Sequence, residues 1–209
     1  MNKKYELTYE ILEWHGRTLH RIRALRDFGS VKAGDLGGWV QSERNLSHEG
    51  SCWLYGEAKA YDSACLYNNA HAYDEAELFD NAHAYDEAEL FEYSRLSGHA
   101  RLSGKARLYC LSDVYGKAHL SGNARASDRA HLSGNMHATR DVIYISGLQW
   151  PVTISDNHIK IGHEVHTIDE WAKLSDKKIA AIGPGTLDFW ERWKHVIMAA
   201  AIEHKKEGK

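Results

Sequence analysis

Apolar residues recur every six positions from Leu54 to Ala138. All fifteen members of this series are Leu, Val or Ala. A second series lies two residues earlier, from Cys52 to Met136, and eleven of its fifteen members are Ala. Two residues after the first series, thirteen of fifteen positions hold Gly, Asp, Asn or Glu. A helix cannot use this period, because six residues advance about 600° and successive leucines would point three ways. In a strand, the small residue and the leucine two places on face the same side, and a turn residue then bends the chain. The hexad is therefore one short strand plus one corner.

Stacked hexads bury both series inside a three-sided prism of eighteen residues per coil. The fold class expected is an all-β solenoid, a left-handed hexapeptide-repeat parallel β-helix. Fifteen hexads give about five coils, or roughly 24 Å at ~4.8 Å per strand step. Residues 69–80 (NAHAYDEAELFD) are copied at 81–92 with one Asp-to-Glu change. Twelve residues are two hexads, so the copy keeps every inward position inward.

An open solenoid needs caps. Residues 1–50 are expected to supply an N-terminal β cap: a hairpin with its break at His15-Gly16, then AGDLGGWV. There Gly34, Gly37 and Gly38 would permit tight turns and Trp39 would seal the first coil. The β-helix is assigned to 51–147. Residues 148–209 read as a strand pair (VTISDNHIKIGHEV) followed by helices. Thr167 to Glu170 fits a capping box, Ser175 is a second candidate cap, and Thr186 opens an amphipathic helix. That helix, with Leu187, Trp190, Ile197 and Ala201 on one side, would cover the end of the prism or join copies.

The net charge of -3 hides a segregation. Between Gly56 and Tyr93 there are ten acids and one base, and between Ser94 and Arg140 eight bases and two acids. The acidic half is also aromatic, with Tyr or Phe after each inward residue from Tyr55 to Phe91. These rings either reinforce a thin core by stacking or anchor a partner. The candidate partner-binding residues are Tyr73, Asp74, Glu75, Glu77, Phe79, Asp80, Tyr85, Asp86, Glu87, Glu89, Phe91 and Glu92. Three cysteines without metal spacing point to reduced thiols and a cytoplasmic setting. No stretch has membrane-spanning length and apolarity. No cofactor or metal is expected.

The segment VKAGDLGGWVQSERNLSHEGSCWLYGEAKAY resembles the start of the YdcK-like hexapeptide-repeat proteins. HTIDEW followed by LDFWERWK looks like the tails of phage and prophage proteins with similar repeats. The resemblance implies a β-helix and a phage or prophage origin, in a group of unassigned function. Together with the charge pattern it suggests a non-enzymatic interaction protein. Its partner would be a host protein with a basic, nucleic-acid-binding surface, as in an anti-CRISPR or nuclease inhibitor that mimics DNA. Self-association through the C-terminal helix or a prism face is the plainer form of the same idea. Direct nucleic-acid binding by the basic half is less favoured, because few aromatics interleave with its arginines.

The alternative is a hexapeptide-type acyl-CoA-dependent acyltransferase. Outward His71, His83, His119, His131 and His137 could serve as a base only with an orienting group and a pocket beside them. His158, His163 and His166 lack a firm metal-ligand spacing.

Overall fold

The computed structural model describes residues 3–206. The first two residues of the expected N-terminal region and the last three of the C-terminal region lie outside the described residues.

Two long strands, β1 (Tyr5–Trp14) and β2 (Arg17–Ala24), pair antiparallel. Their two-residue loop has φ of 48° at His15 and 75° at Gly16, both positive as in tight hairpin turns. Strand β3 (Leu36–Val40) joins β2 on one side and the prism on the other. Fifteen two-residue strands follow, β4 (Trp53–Leu54) to β18 (His137–Ala138), one per hexad. They form three parallel stacks. Face 1 continues β3 with Lys59, Glu77, Arg95, Asp113 and His131 outward. Face 2 carries Trp53, His71, Glu89, Arg107 and Arg125. Face 3 carries Cys65, His83, Arg101, His119 and His137.

Each hexad repeats the same bonds. Phe79 N–H donates to Leu96 C=O (3.1 Å) and Asn81 N–H to Gly98 C=O (2.8 Å), joining one coil to the next. Within the corner, Ala82 N–H donates back to Phe79 C=O (3.3 Å). Every member of both inward series is buried. The interior is narrow, and the stretch Ala72, Leu78, Ala84 contributes one large side chain.

The prism starts earlier than the unbroken six-residue series. Val40 pairs with Ala60 and Leu46 with Leu66, each twenty residues apart, whereas Leu54 pairs with Ala72 across eighteen. Two extra residues in this first coil conceal its membership from a six-residue count.

Two expectations about the first cap are corrected. Gly37 and Gly38 lie inside β3, not in turns. A Cβ on Gly37 would sit 2.5 Å from the Trp53 ring, and one on Gly38 would sit 2.3 Å from Ala58 C=O. Close packing therefore demands these glycines. Trp39 does not seal the coil. It lies on the outer side of face 1 with Leu19 and Tyr61, donates to Glu57 (2.8 Å) and is covered by Arg21. Trp53, in the outward column of face 2, is instead the ring buried at this end, with Tyr5 and Phe28 packed against it.

At the other end the chain forms four antiparallel strands, not a pair: β19 (Ile143–Ile145), β20 (Val152–Ile154), β21 (His158–Ile161) and β22 (Glu164–Thr167). Val142, Tyr144 and Val165 pack on the prism core. Helices α1 (Ile168–Lys173), α2 (Asp176–Ile182) and α3 (Thr186–Lys206) form a second core with this sheet. Sheet residues thus take the covering role expected of α3. The helix buries its apolar stripe against the sheet instead: Phe189, Trp190, Ile197 and Ala201 share a core with Ile154, Ile159 and Ile161. Thr167 and Glu170 make the expected capping box. Ser175 caps α2 without a side-chain bond.

Leu96 and Leu111 separate the two environments. Leu96→Ala is expected to cost about 2–5 kcal/mol in a denaturant melt, whereas Leu111→Ala, at an exposed corner, should change stability by no more than about 0.5 kcal/mol.

Candidate interaction surface at one corner of the prism

The twelve candidate residues do not share a face. They wind once round the prism, a little more than one coil, and visit all three corners. Glu77 lies under the N-terminal hairpin, accepting from Tyr61 Oη (2.8 Å) and Trp14 Nε1 (3.3 Å). Phe79 stacks on Tyr61 (5.3 Å) in the same cluster. Glu87 and Glu89 pair with Lys105 (3.6 Å) and Arg107 (2.7 Å) on the next coil. Asp80 and Asp86 each accept a backbone N–H, from Gly98 and Gly104 (both 3.1 Å), and Tyr85 stacks on Tyr67. The hairpin also neutralises part of the acidic half through Arg17–Asp62 and Arg21–Glu57.

Five of the twelve converge: Tyr73, Asp74, Glu75, Phe91 and Glu92 share the corner after face 2. Tyr55, Tyr73 and Phe91 stack there at 4.7 Å per step, with planes within 4°. Burial, then Tyr55 and Glu89, pushes the Tyr73 phenol up to about 12. Asp74 accepts Glu92 N–H (3.2 Å), which fixes one carboxylate. Glu75 and Glu92 form no ion pair among the described residues.

The same corner carries unusual backbone. Each hexad but the last turns through a residue with positive φ, and in the prism these are Gly, Asn or Asp except at Glu92 (58°) and Cys110 (60°). Both lie on this corner, in consecutive coils. Larger side chains in that region are disfavoured and cluster at functional sites. Beside them stand Tyr93, 59% exposed, and Leu111, 48% exposed. The ring stack ends at Phe91, and an open cleft lined by Asp74, Phe91, Glu92, Arg107, Tyr109 and Arg125 follows. Residue-type counting misses Tyr93, Cys110 and Leu111. Their signal is the departure from Gly, Asp or Asn in the turn.

Face 3 is the other chemical surface. His83, Arg101, His119 and His137 form a column with no carboxylate in it. Ser103 Oγ meets His119 Nε2 at 2.8 Å and Ser121 Oγ meets His137 Nε2 at 3.0 Å. Burial, aided by Arg101, lowers the pKa of His83; burial, His137 and Arg101 lower that of His119. The remaining outward histidines are on other faces: His71 lies beside Ser51 C=O (3.0 Å) and His131 beside Asp113 (3.2 Å). In the C-terminal sheet, His163 and His166 both approach Glu164, at 3.3 and 3.4 Å. Among the described residues, no group of three or more His, Cys, Asp or Glu is placed to hold a metal ion. No helix there is long and apolar enough to cross a membrane.

No family model matches the chain. Over 37 residues it is 49% identical to a protein of Escherichia coli (strain K12) described as "Uncharacterized acetyltransferase YdcK". The match covers 18% of this chain and 11% of that protein. It agrees with the hexapeptide-repeat solenoid, and it spans only a small part of the relative.

The lowered histidines give a pH signature. Their neutral form is favoured in the folded state, so the unfolded chain binds more protons once pH falls below the ordinary ~6.5. Stability should therefore decline as pH drops from about 6.5 towards 5. The double variant His83→Gln/His119→Gln should flatten that slope in urea melts.

Proposed function

We propose that the protein is a non-catalytic interaction scaffold that grips a basic partner at the corner after face 2. The observation carrying this reading is the exposed pair Tyr93 and Leu111, set beside the strained turns at Glu92 and Cys110. Large exposed side chains next to a rigid ring stack lose little conformational freedom on binding, as interface anchors require. Asp74, Glu75 and Glu92 add negative charge at one coil's spacing. A stiff row of carboxylates suits a surface that ordinarily holds phosphates. A phage or prophage protein occupying the nucleic-acid site of a host defence complex, without being cleaved, fits this chemistry. The other acidic and aromatic residues of this turn of the prism stiffen the scaffold.

Two variant sets test the reading. Asp74→Lys/Glu75→Lys/Glu92→Lys and Tyr93→Ala/Leu111→Ala should each weaken capture of the partner from host lysate about tenfold or more. Asp86→Lys/Glu87→Lys, on the corner after face 3, should leave it unchanged. Capture that survives both of the first two sets overturns the proposal.

A second reading is acyl transfer on face 3. It is favoured by His119, which Ser103 contacts at 2.8 Å and which burial, His137 and Arg101 bias towards the neutral form that a general base needs, and by the description of the E. coli relative. Calorimetry with acetyl-CoA separates the two: the scaffold reading expects no saturable heat, and the acyltransferase reading expects binding that Arg101→Glu weakens.

A further inference from the structure

The C-terminal cap contains a cavity that the corner surface does not use. Its volume is about 230 Å³. Its walls are Trp150, Trp171, Phe189 and Trp190, with Ile179 and Ile182 beside them, and the exposed His163 and Pro184 stand at its opening to solvent. The rings come as two pairs. Trp150 meets Phe189 edge-on at 4.9 Å, and Trp171 meets Trp190 at 5.0 Å. Trp171 is fixed by its Nε1 donating to Ile159 C=O (2.8 Å). Trp150 reaches from Gly162 to Gly185: Cβ atoms built on these glycines would lie 3.4 Å from its Cδ1 and 3.9 Å from its Cη2. Both glycines have positive φ, 58° and 78°, so side chains are disfavoured where the indole lies.

Cores normally close to crystal-like density, yet this space persists between a sheet and three helices. A cavity of roughly 150 Å³ with apolar walls admits benzene, so this one has room for a bicyclic ring. Four aromatic walls favour a planar occupant through stacking and edge contacts. The lining offers one side-chain carboxylate, Glu164; it is half-buried, its two oxygens face His163 (3.3 Å) and His166 (3.4 Å), and each oxygen has a second lone pair to accept a further hydrogen bond. Such a pocket, apolar with few polar groups, is the usual form of a small-molecule site.

We propose that the cap is a binding site for a small planar aromatic molecule bearing an N–H donor, with the ring among the four aromatic side chains and the donor on Glu164. The site is independent of the corner surface and of acyl transfer.

Calorimetry on the full chain with indole, and with benzothiophene as an isostere lacking the N–H, tests this. Indole should bind with a Kd of about 10–1000 µM, as expected for so small a ligand. Glu164→Met should weaken indole about fivefold or more and leave benzothiophene nearly unchanged, the scale of one hydrogen bond. Ile182→Trp should abolish binding of both by filling the space. Hydrogen exchange on the unaltered protein guards against a variant that fails to fold: indole should protect the amides of residues 162–164 and 183–187, except Pro184. Absence of indole binding at millimolar concentration, or binding without protection of those amides, overturns the site. Equal affinity for the two probes overturns the donor requirement.

Discussion

The structure depends on one repeated interaction, the backbone ladder that joins residues eighteen apart. Each coil donates to the next through alternate N–H groups, as Phe79 does to Leu96 and His83 to Ala100. That ladder fixes which side chains face inward, and the inward columns then have room for little more than alanine alternating with leucine or valine. A parallel pair is not strong by itself. Here it is repeated on three sides and sheltered over a continuous apolar core. Corner turns, aromatic stacks and charge rows are consequences, because every sixth residue meets the same surroundings one coil further on.

This arrangement explains why the middle of the chain is so readily legible in sequence. A residue type repeated at equivalent sites needs no long-range knowledge to interpret. The ends lack that redundancy. Val40 and Leu46 belong to the prism, but two additional residues before Leu54 remove them from the count. Gly37 and Gly38 look like turn formers in sequence, whereas the demand on them is the approach of Trp53 and of the Ala58 carbonyl. The C-terminal sheet reads only as a strand pair because Ile143–Ile145 stands apart from it across residues 146–151 and Glu164–Thr167 runs straight into the helix cap at Thr167.

The surface is legible in composition and not in position. Acids and aromatics are visible as a block, but the block winds round the prism. Part of it serves the chain itself: Glu77 beneath Trp14, Glu87 and Glu89 against basic residues of the following coil, and Asp80 and Asp86 on backbone amides. What distinguishes one corner is a breach of the repeat at Glu92, Cys110, Tyr93 and Leu111. In a molecule built from sameness, a departure that costs backbone strain and exposes apolar surface is more informative than any member of the pattern. The aromatic cavity in the cap lies outside the repeat, and its walls come together only through the packing of β21, α1, α2 and α3 with the loop that carries Trp150.

The most direct test of the six-residue register is insertion of one whole coil, a second copy of residues 75–92 placed after Glu92, compared with the same insert lengthened by one alanine. Thermal melting and small-angle scattering on both proteins read the outcome. The register predicts that the eighteen-residue insert melts cooperatively, within a few degrees of the parent, and lengthens the particle by about one strand spacing, ~4.8 Å. The nineteen-residue insert should lose cooperativity, because every later leucine must leave the core or force a bulge. Equal melting and equal length for the two inserts would contradict it.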